Sequence, residues 1–267
     1  MTMKKTFEYE GSIIHYAVHG KGEQLMLVHG FGEKGEIWDN QVEVLQNHFS
    51  VIVPELPGCG GSGMIPDMSM EGMADMLLHL FKQEPVESGK PVLFGHSMGG
   101  YITLAFVEKN PGFLKSFGLI HSSCFADNDE KKDTRKKGIE FIRKHGGFAF
   151  LEKSSPNLFS PDTKNKQPGL VKAFTDSLAD QQDEVLIRFY EAMMARPDRS
   201  HVLKNSGLPV LFILGRHDSA IPIKDGLRQT TFPELSYIHV LEYSGHMGML
   251  EEKEKLNHFL LDFLRST

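Results

Sequence analysis

The pentapeptide Gly95-His96-Ser97-Met98-Gly99, with Gly100 behind it, constrains this chain more than any other stretch. It closes an apolar run, Pro91-Val92-Leu93-Phe94, and opens a segment, Tyr101 to Lys109, with the character of a helix. A strand passing straight into a helix leaves room only for a tight turn. A serine at the apex, with glycine two residues away on each side, is held there in a strained conformation with its hydroxyl pushed outward. A Cβ at either glycine would collide with neighbouring backbone. The pattern alone is weak: 26 of 267 residues are glycine, and composition yields about 0.2 such matches in a chain of this length by chance.

The rest of the chain supplies the setting. Phe7 to Glu10 and Ile13 to Val18 show partial alternation and read as strands joined by a hairpin turn at Gly11-Ser12. Gln24 to Val28 is almost continuously apolar, as in a strand buried on both faces. It ends in His29-Gly30-Phe31-Gly32. A helix is expected over 36–47, with Trp38, Val42 and Leu45 at helical spacing, followed by a strand from Ser50 to Pro54 and a glycine-rich loop from Leu56 to Gly63. Met70 to Lys82 reads as an amphipathic helix whose Met73 and Met76 fill the core. Beyond the pentapeptide and its helix comes a strand from Phe117 to Ile120. Strands and helices in this order imply right-handed parallel crossovers and a doubly wound α/β sheet.

The rhythm breaks at Ser122. Up to about Ser206 there is no good strand, only helical patches at Asp129 to Lys144, Leu170 to Leu178 and Glu184 to Met194, with Pro156, Pro161 and Pro168 punctuating the stretch between the first two. Alternation resumes with a strand from Pro209 to Leu214, a helix from Ile223 to Gln229, a strand from Tyr237 to Leu241 and a last helix from Met249 to Leu264. The expected organisation is a core of residues 1–121 and 207–267 with eight strands, and a helical lid of residues 122–206 inserted after the sixth.

Composition narrows the function. A net charge of −6 disfavours nucleic acid as a partner and gives no attraction to acidic membranes. The one basic run, Lys131 to Lys137, is interrupted by acid and reads as a solvated helix face. Cys59 and Cys124 form no ligand or redox spacing and read as bystanders. Met1-Thr2-Met3-Lys4-Lys5 lacks the apolar core of a signal peptide, and no run approaches membrane-spanning length, so the expected location is cytoplasmic.

A serine nucleophile needs a base to take its proton and an acid to fix that base. Asp218, in Gly215-Arg216-His217-Asp218, follows the strand ending at Leu214; His246, in Ser244-Gly245-His246-Met247-Gly248, follows the strand ending near Leu241. The order Ser, Asp, His is that of a nucleophile elbow on a parallel sheet. The backbone amides of Met98, at the start of the following helix, and of Phe31, between two glycines, are the expected oxyanion donors. His29 and His96 read as structural hydrogen-bonders. No His-x-x-x-His or cysteine-pair spacing calls for a metal, and no cofactor motif is present.

Together, His29-Gly30-Phe31, Pro57-Gly58-Cys59-Gly60-Gly61-Ser62, Gly95 to Gly100, Gly215 to Asp218 with Pro222, and Gly245-His246 resemble, in order and spacing, the α/β-hydrolase superfamily over nearly the whole chain. The likeness is greatest to small serine esterases and carbon–carbon hydrolases with a helical cap. Glu55 and Cys59 depart from the Asp and His common in the family's fourth-strand loop, which bears on substrate fit. Some relatives place the acid after the sixth strand, which makes Asp127 the alternative to Asp218; Asp225 lies too deep in the next helix. The resemblance implies a Ser97-His246-Asp218 hydrolase acting on a small or medium carboxylic ester. Carbon–carbon bond hydrolysis, lactone opening and acyl transfer on the same residues are alternatives, and a non-enzymatic binding module or an interaction role of the lid are remoter ones. Specificity is expected from the lid's apolar residues, Phe141, Phe148, Phe150, Phe159, Phe174, Phe189, Tyr190, Met193 and Met194, most of which pack the lid onto the core while some line the pocket, the sequence not distinguishing which. The expected partner is a small-molecule ester; oligomeric state is left open.

Overall fold

The structure, a computed structural model, describes residues 2–85 and 89–267; Met1 of the amino-terminal stretch lies outside them. One eight-stranded sheet runs in the order β1-β2-β4-β3-β5-β6-β7-β8. Its strands are β1 (Thr2–Tyr9), β2 (Ser12–His19), β3 (Glu23–Val28), β4 (Phe49–Pro54), β5 (Val92–His96), β6 (Ser116–Ile120), β7 (Val210–Gly215) and β8 (Ser236–Leu241). β1 and β2 pair antiparallel, as do β2 and β4. All pairings from β4 through β8 are parallel.

The hairpin turn lies one residue earlier than expected. Tyr9 faces Ser12, and the two turn residues are Glu10 and Gly11, at φ 48° and 80°. Two-residue hairpins of this type need positive φ at both central positions to match the twist of the strands, and glycine supplies one of them without strain.

β5, β6 and β7 are buried at every residue, whereas β2 at the antiparallel end alternates and β8 at the edge is mostly half-exposed. This is the burial expected of a parallel sheet covered on both faces. Along β3, Leu25 and Leu27 face α1 (Asp39–Leu45) and α12 (Lys253–Ser266), packing with Trp38, Leu45 and Phe263. Met26 and Val28 face the opposite layer, α2 (Met70–Gln83) and α3 (Met98–Lys109), with Met73, Leu77, Ile102 and Phe106. The α2 methionines are core filler, fully buried.

The helix expected over 36–47 divides into a 3₁₀ turn, Gly35–Trp38, and α1. The expected last helix also divides, into α11 (Gly248–Glu251) and α12, at Glu252 with φ −131° and ψ 51°. The break has a cause: Glu252 Oε2 turns back to accept from Tyr243 N at 2.9 Å and Ser244 Oγ at 2.8 Å. A continuous helix would carry that carboxylate away from the loop after β8.

Between β6 and β7 lie six helices: α4 (Asp129–His145), α5 (Gly147–Ser154), α6 (Pro161–Lys166), α7 (Pro168–Ser177), α8 (Asp183–Ala195) and α9 (Ser200–Asn205). The sequence periodicity reveals α4, α7 and α8. The others are eight residues or fewer, too short to display a helical period. Pro161 and Pro168 open α6 and α7 rather than interrupting anything, since proline suits the first helical position. Among the described residues no helix is long and apolar enough to cross a membrane.

Candidate active site

The carboxyl ends of the parallel strands deliver the chemistry to one edge of the sheet, the position such folds use for ligands. Ser97 follows β5 directly, at φ 50° and ψ −114°. A side chain at Gly95 would place its Cβ 2.2 Å from Gly99 O, and one at Gly99 would place it 2.5 Å from Val28 O. The two flanking glycines are therefore forced by backbone contact. The strained apex is pinned from β6: Ser97 N donates to Ile120 O at 2.9 Å, and Ser122 Oγ donates to Ser97 O at 2.7 Å. Met98 N is the first amide of α3 and has no acceptor within the helix.

The loop after β3 is folded by a buried network. His29 Nε2 accepts from Leu56 N at 3.0 Å, so its Nδ1 carries the proton and donates to Gly30 O at 3.0 Å. Glu33, 3% exposed, accepts from Gly30 N at 2.7 Å and pairs through Oε2 with His96 Nδ1 at 2.9 Å. His96 Nε2 donates to the carbonyl of His246 at 3.0 Å. Burial works to raise the Glu33 pKa, but the His96 contact and the Gly30 amide outweigh it and hold the carboxyl below its ordinary value. His29 and His96 are thus structural, as expected, while Glu33 connects the Phe31 loop, the elbow and the His246 loop. Glu33→Ala removes one partner of a buried pair and is expected to destabilise the fold by about 3 kcal/mol or more, read as a lowered urea midpoint with an unchanged m-value.

Asp218 and His246 meet as the sequence implies. His246 Nδ1 lies 2.8 Å from Asp218 Oδ2. The other carboxylate oxygen accepts from Ala220 N and Ile221 N, both at 2.8 Å. Burial alone would raise the Asp218 pKa; the His246 charge and the hydrogen bonds from His121 and His246 reverse this and hold it well below the carboxylate range. For His246 burial favours the neutral ring, but the Asp218 carboxylate wins and raises its pKa above the ordinary value. The His246 loop is held by Glu251, whose Oε1 accepts from Gly245 N at 2.8 Å and Met247 N at 3.2 Å. Its Oε2 accepts from Ser160 N at 2.8 Å and Thr163 Oγ1 at 2.7 Å. His246 N itself donates to Leu158 O at 2.6 Å.

Ser97, His246 and Phe31 line one cavity of about 160 Å³, together with Tyr101, Arg135, Tyr190 and Met193. Phe31 stacks on Tyr190 at 4.3 Å between ring centroids. Among the described residues no hydrogen bond joins Ser97 Oγ to His246 Nε2; such bonds commonly tighten only with substrate in place. Of the apolar lid residues expected at the pocket, Tyr190 and Met193 reach it, whereas Phe159 packs on Phe174 and Phe189 is fully buried.

Asp127, the alternative acid, binds Arg135 and Arg196 instead of His246. Asp225 lies in α10 (Ile223–Gln229), and His217 is exposed. Cys59 and Cys124 are buried and free, and burial pushes both thiols up, Cys124 to about 12. Neither supplies a thiolate. His121, Asp218 and His246 have one potential ligand atom each within 4.8 Å of the others. Asp218 Oδ2 is already shared between His246 Nδ1 and His121 Nδ1, the latter at 3.3 Å, so the cluster is accounted for as a hydrogen-bonded unit. Arg135 is the exception within the basic run: its side chain is 18% exposed and faces the cavity instead of solvent. The sequence offers a cue for His121, at the end of β6, and little for Glu33 or Arg135, whose partners are remote or hidden within a charged run.

The sheet and its flanking helices form an α/β-hydrolase fold, and residues 24–143 match the family described as the alpha/beta hydrolase fold. It is similar to a 2-hydroxy-6-oxononadienedioate/2-hydroxy-6-oxononatrienedioate hydrolase of Burkholderia vietnamiensis, 27% identical over 94% of this chain and 91% of the relative. It is also similar to a pimeloyl-[acyl-carrier protein] methyl ester esterase of Vibrio vulnificus, 26% identical over 94% and 97%. Among solved structures, a thermophilic esterase from Thermogutta terrifontis, malate-bound, superposes with a TM-score of 0.87 at 29% identity, covering 100% of this chain and 98% of that one.

Proposed function

We propose that the protein is a serine hydrolase of small carboxylic esters working through an acyl-enzyme. Ser97 attacks the carbonyl carbon as His246 takes its proton, and Asp218 holds the imidazole in the working tautomer and stabilises its charged form. The amides of Phe31 and Met98 receive the tetrahedral oxyanion. His246 then protonates the leaving alcohol, and water repeats the cycle on the acyl-enzyme. Residues 122–206 serve as the lid that selects the substrate.

The observation that carries this reading is the strained Ser97 sharing a cavity with a histidine whose far nitrogen is bound to a buried carboxylate. The similarity to a methyl ester esterase supports the ester as the substrate class. A fluorophosphonate probe is expected to label the wild type and not Ser97→Ala; an unlabelled wild type beside a labelled control esterase refutes the nucleophile. The similarity to a dioate hydrolase favours carbon–carbon hydrolysis as the second reading. A labelled protein that turns over no ester in a chain-length series would select it.

A further inference from the structure

Through Arg135, the cavity that holds Ser97 adjoins a cluster with a charge imbalance. Asp127 has a fully buried side chain and binds two guanidinium groups. Arg135 donates Nε to Oδ2 at 2.6 Å and Nη2 to Oδ1 at 3.4 Å; Arg196 donates Nη2 to Oδ1 at 2.9 Å. Burial pushes the Asp127 pKa up, but these bonds bring it below the ordinary value. One anion between two cations leaves one positive charge unmatched, a costly arrangement in a buried cluster.

The two arginines differ in where they face. Arg196 is enclosed, donating Nη1 to Met193 O and Nη2 also to Phe125 O, with its guanidinium over the Tyr101 ring at 3.8 Å. Arg135 lines the cavity, and its Nη1 has no protein acceptor among the described residues. Tyr101 and Tyr190 line the same cavity, and neither hydroxyl has a protein hydrogen-bond partner among the described residues. Burial pushes the Tyr190 pKa up to about 12 despite the opposing Arg135 charge, so it remains a donor. The acids of the site are satisfied elsewhere: Glu33 by His96 and Gly30 N, Asp218 by two rings and two amides.

We propose that the Arg135 side of this cavity is a carboxylate-binding subsite, and that the substrate is a short ester bearing a free carboxylate anchored by Arg135 with Tyr101 and Tyr190. A carboxylate there accepts from donors that otherwise lack an acceptor and matches the surplus charge with charge-assisted bonds. A cavity of about 160 Å³ lies below the roughly 300–1,000 Å³ of sites for drug-sized ligands, so the class is the half-ester of a short dicarboxylic acid. The ester rests on the function proposed above; the carboxylate anchor does not.

Two measurements test this separately. By calorimetry on the Ser97→Ala protein, succinate or glutarate is expected to bind at least ~10-fold more tightly than its diamide, and adding Arg135→Gln is expected to abolish the difference. In turnover, monomethyl glutarate is expected to exceed methyl valerate in kcat/KM by a similar factor, the ratio collapsing towards one in Arg135→Gln and recovering in part in Arg135→Lys. Equal binding of diacid and diamide, or a charged-to-neutral ratio that Arg135→Gln leaves unchanged, overturns the subsite. If Arg135→Gln does not fold, the diacid-against-diamide comparison decides on its own. Diacid binding without cleavage of any ester keeps the subsite and removes the ester-hydrolase reading; ester cleavage without charge preference does the reverse.

Discussion

Replacing His246 by alanine is expected to lower ester turnover by ~10³-fold or more. His246 supplies the only imidazole among the cavity-lining residues. Its Nδ1 is bound to Asp218 at 2.8 Å, leaving Nε2 as the atom able to take a proton from Ser97. The neighbouring rings cannot substitute: His96 is bound at both nitrogens, and His121 does not line the cavity, its Nδ1 bound to Asp218 and its Nε2 buried. Ser97→Ala should lose activity to a similar extent, and the double variant should lose little more, because the two side chains act as a unit. The check is kcat on a small aryl ester with circular dichroism to establish folding. A folded His246→Ala protein losing less than tenfold refutes His246 as the base.

Asp218→Asn is the second large effect, with an expected fall in kcat of ~10³–10⁴ and a displaced pH profile. The base must be neutral to accept the serine proton, so kcat/KM of the wild type rises with pH through the His246 pKa. That pKa is raised because the Asp218 carboxylate outweighs burial. Removing the carboxylate leaves burial, which favours the neutral ring. The acid limb therefore moves to lower pH even as the plateau drops. A reduced plateau with an unmoved limb would mean that Asp218 does not govern His246.

The parts of the site legible from sequence are those in which a short segment dictates its own geometry. The elbow needs glycines because Gly95 and Gly99 touch backbone within the same turn or the adjacent strand end. The order Ser97, Asp218, His246 follows from successive parallel strands ending at one edge. What remained hidden depends on contacts between distant segments. Glu33 meets His96 across 63 residues of sequence, and nothing around either predicts the meeting. Arg135 belongs to a charged run whose other members are solvated or only half-buried; its inward turn is set by Asp127, in the loop just before α4, whose pairing the charged run gives no reason to expect. The boundary between α11 and α12 escaped because the apolar period continues across Glu252, whereas the break is dictated by hydrogen bonds to Tyr243 and Ser244. Strand alternation is robust for a simpler reason: burial on two faces leaves a continuous apolar run that no local detail obscures.

The Glu251 carboxylate grips two segments at once, holding Gly245 and Met247 with one oxygen and Ser160 and Thr163 with the other. With the bond from His246 N to Leu158 O, the segment roofing the cavity doubles as scaffolding for the base. Lifting that edge to admit a substrate would break the bonds that aim the imidazole. A substitution at Ser160 or Thr163 would therefore reach the orientation of the imidazole without touching the ring itself.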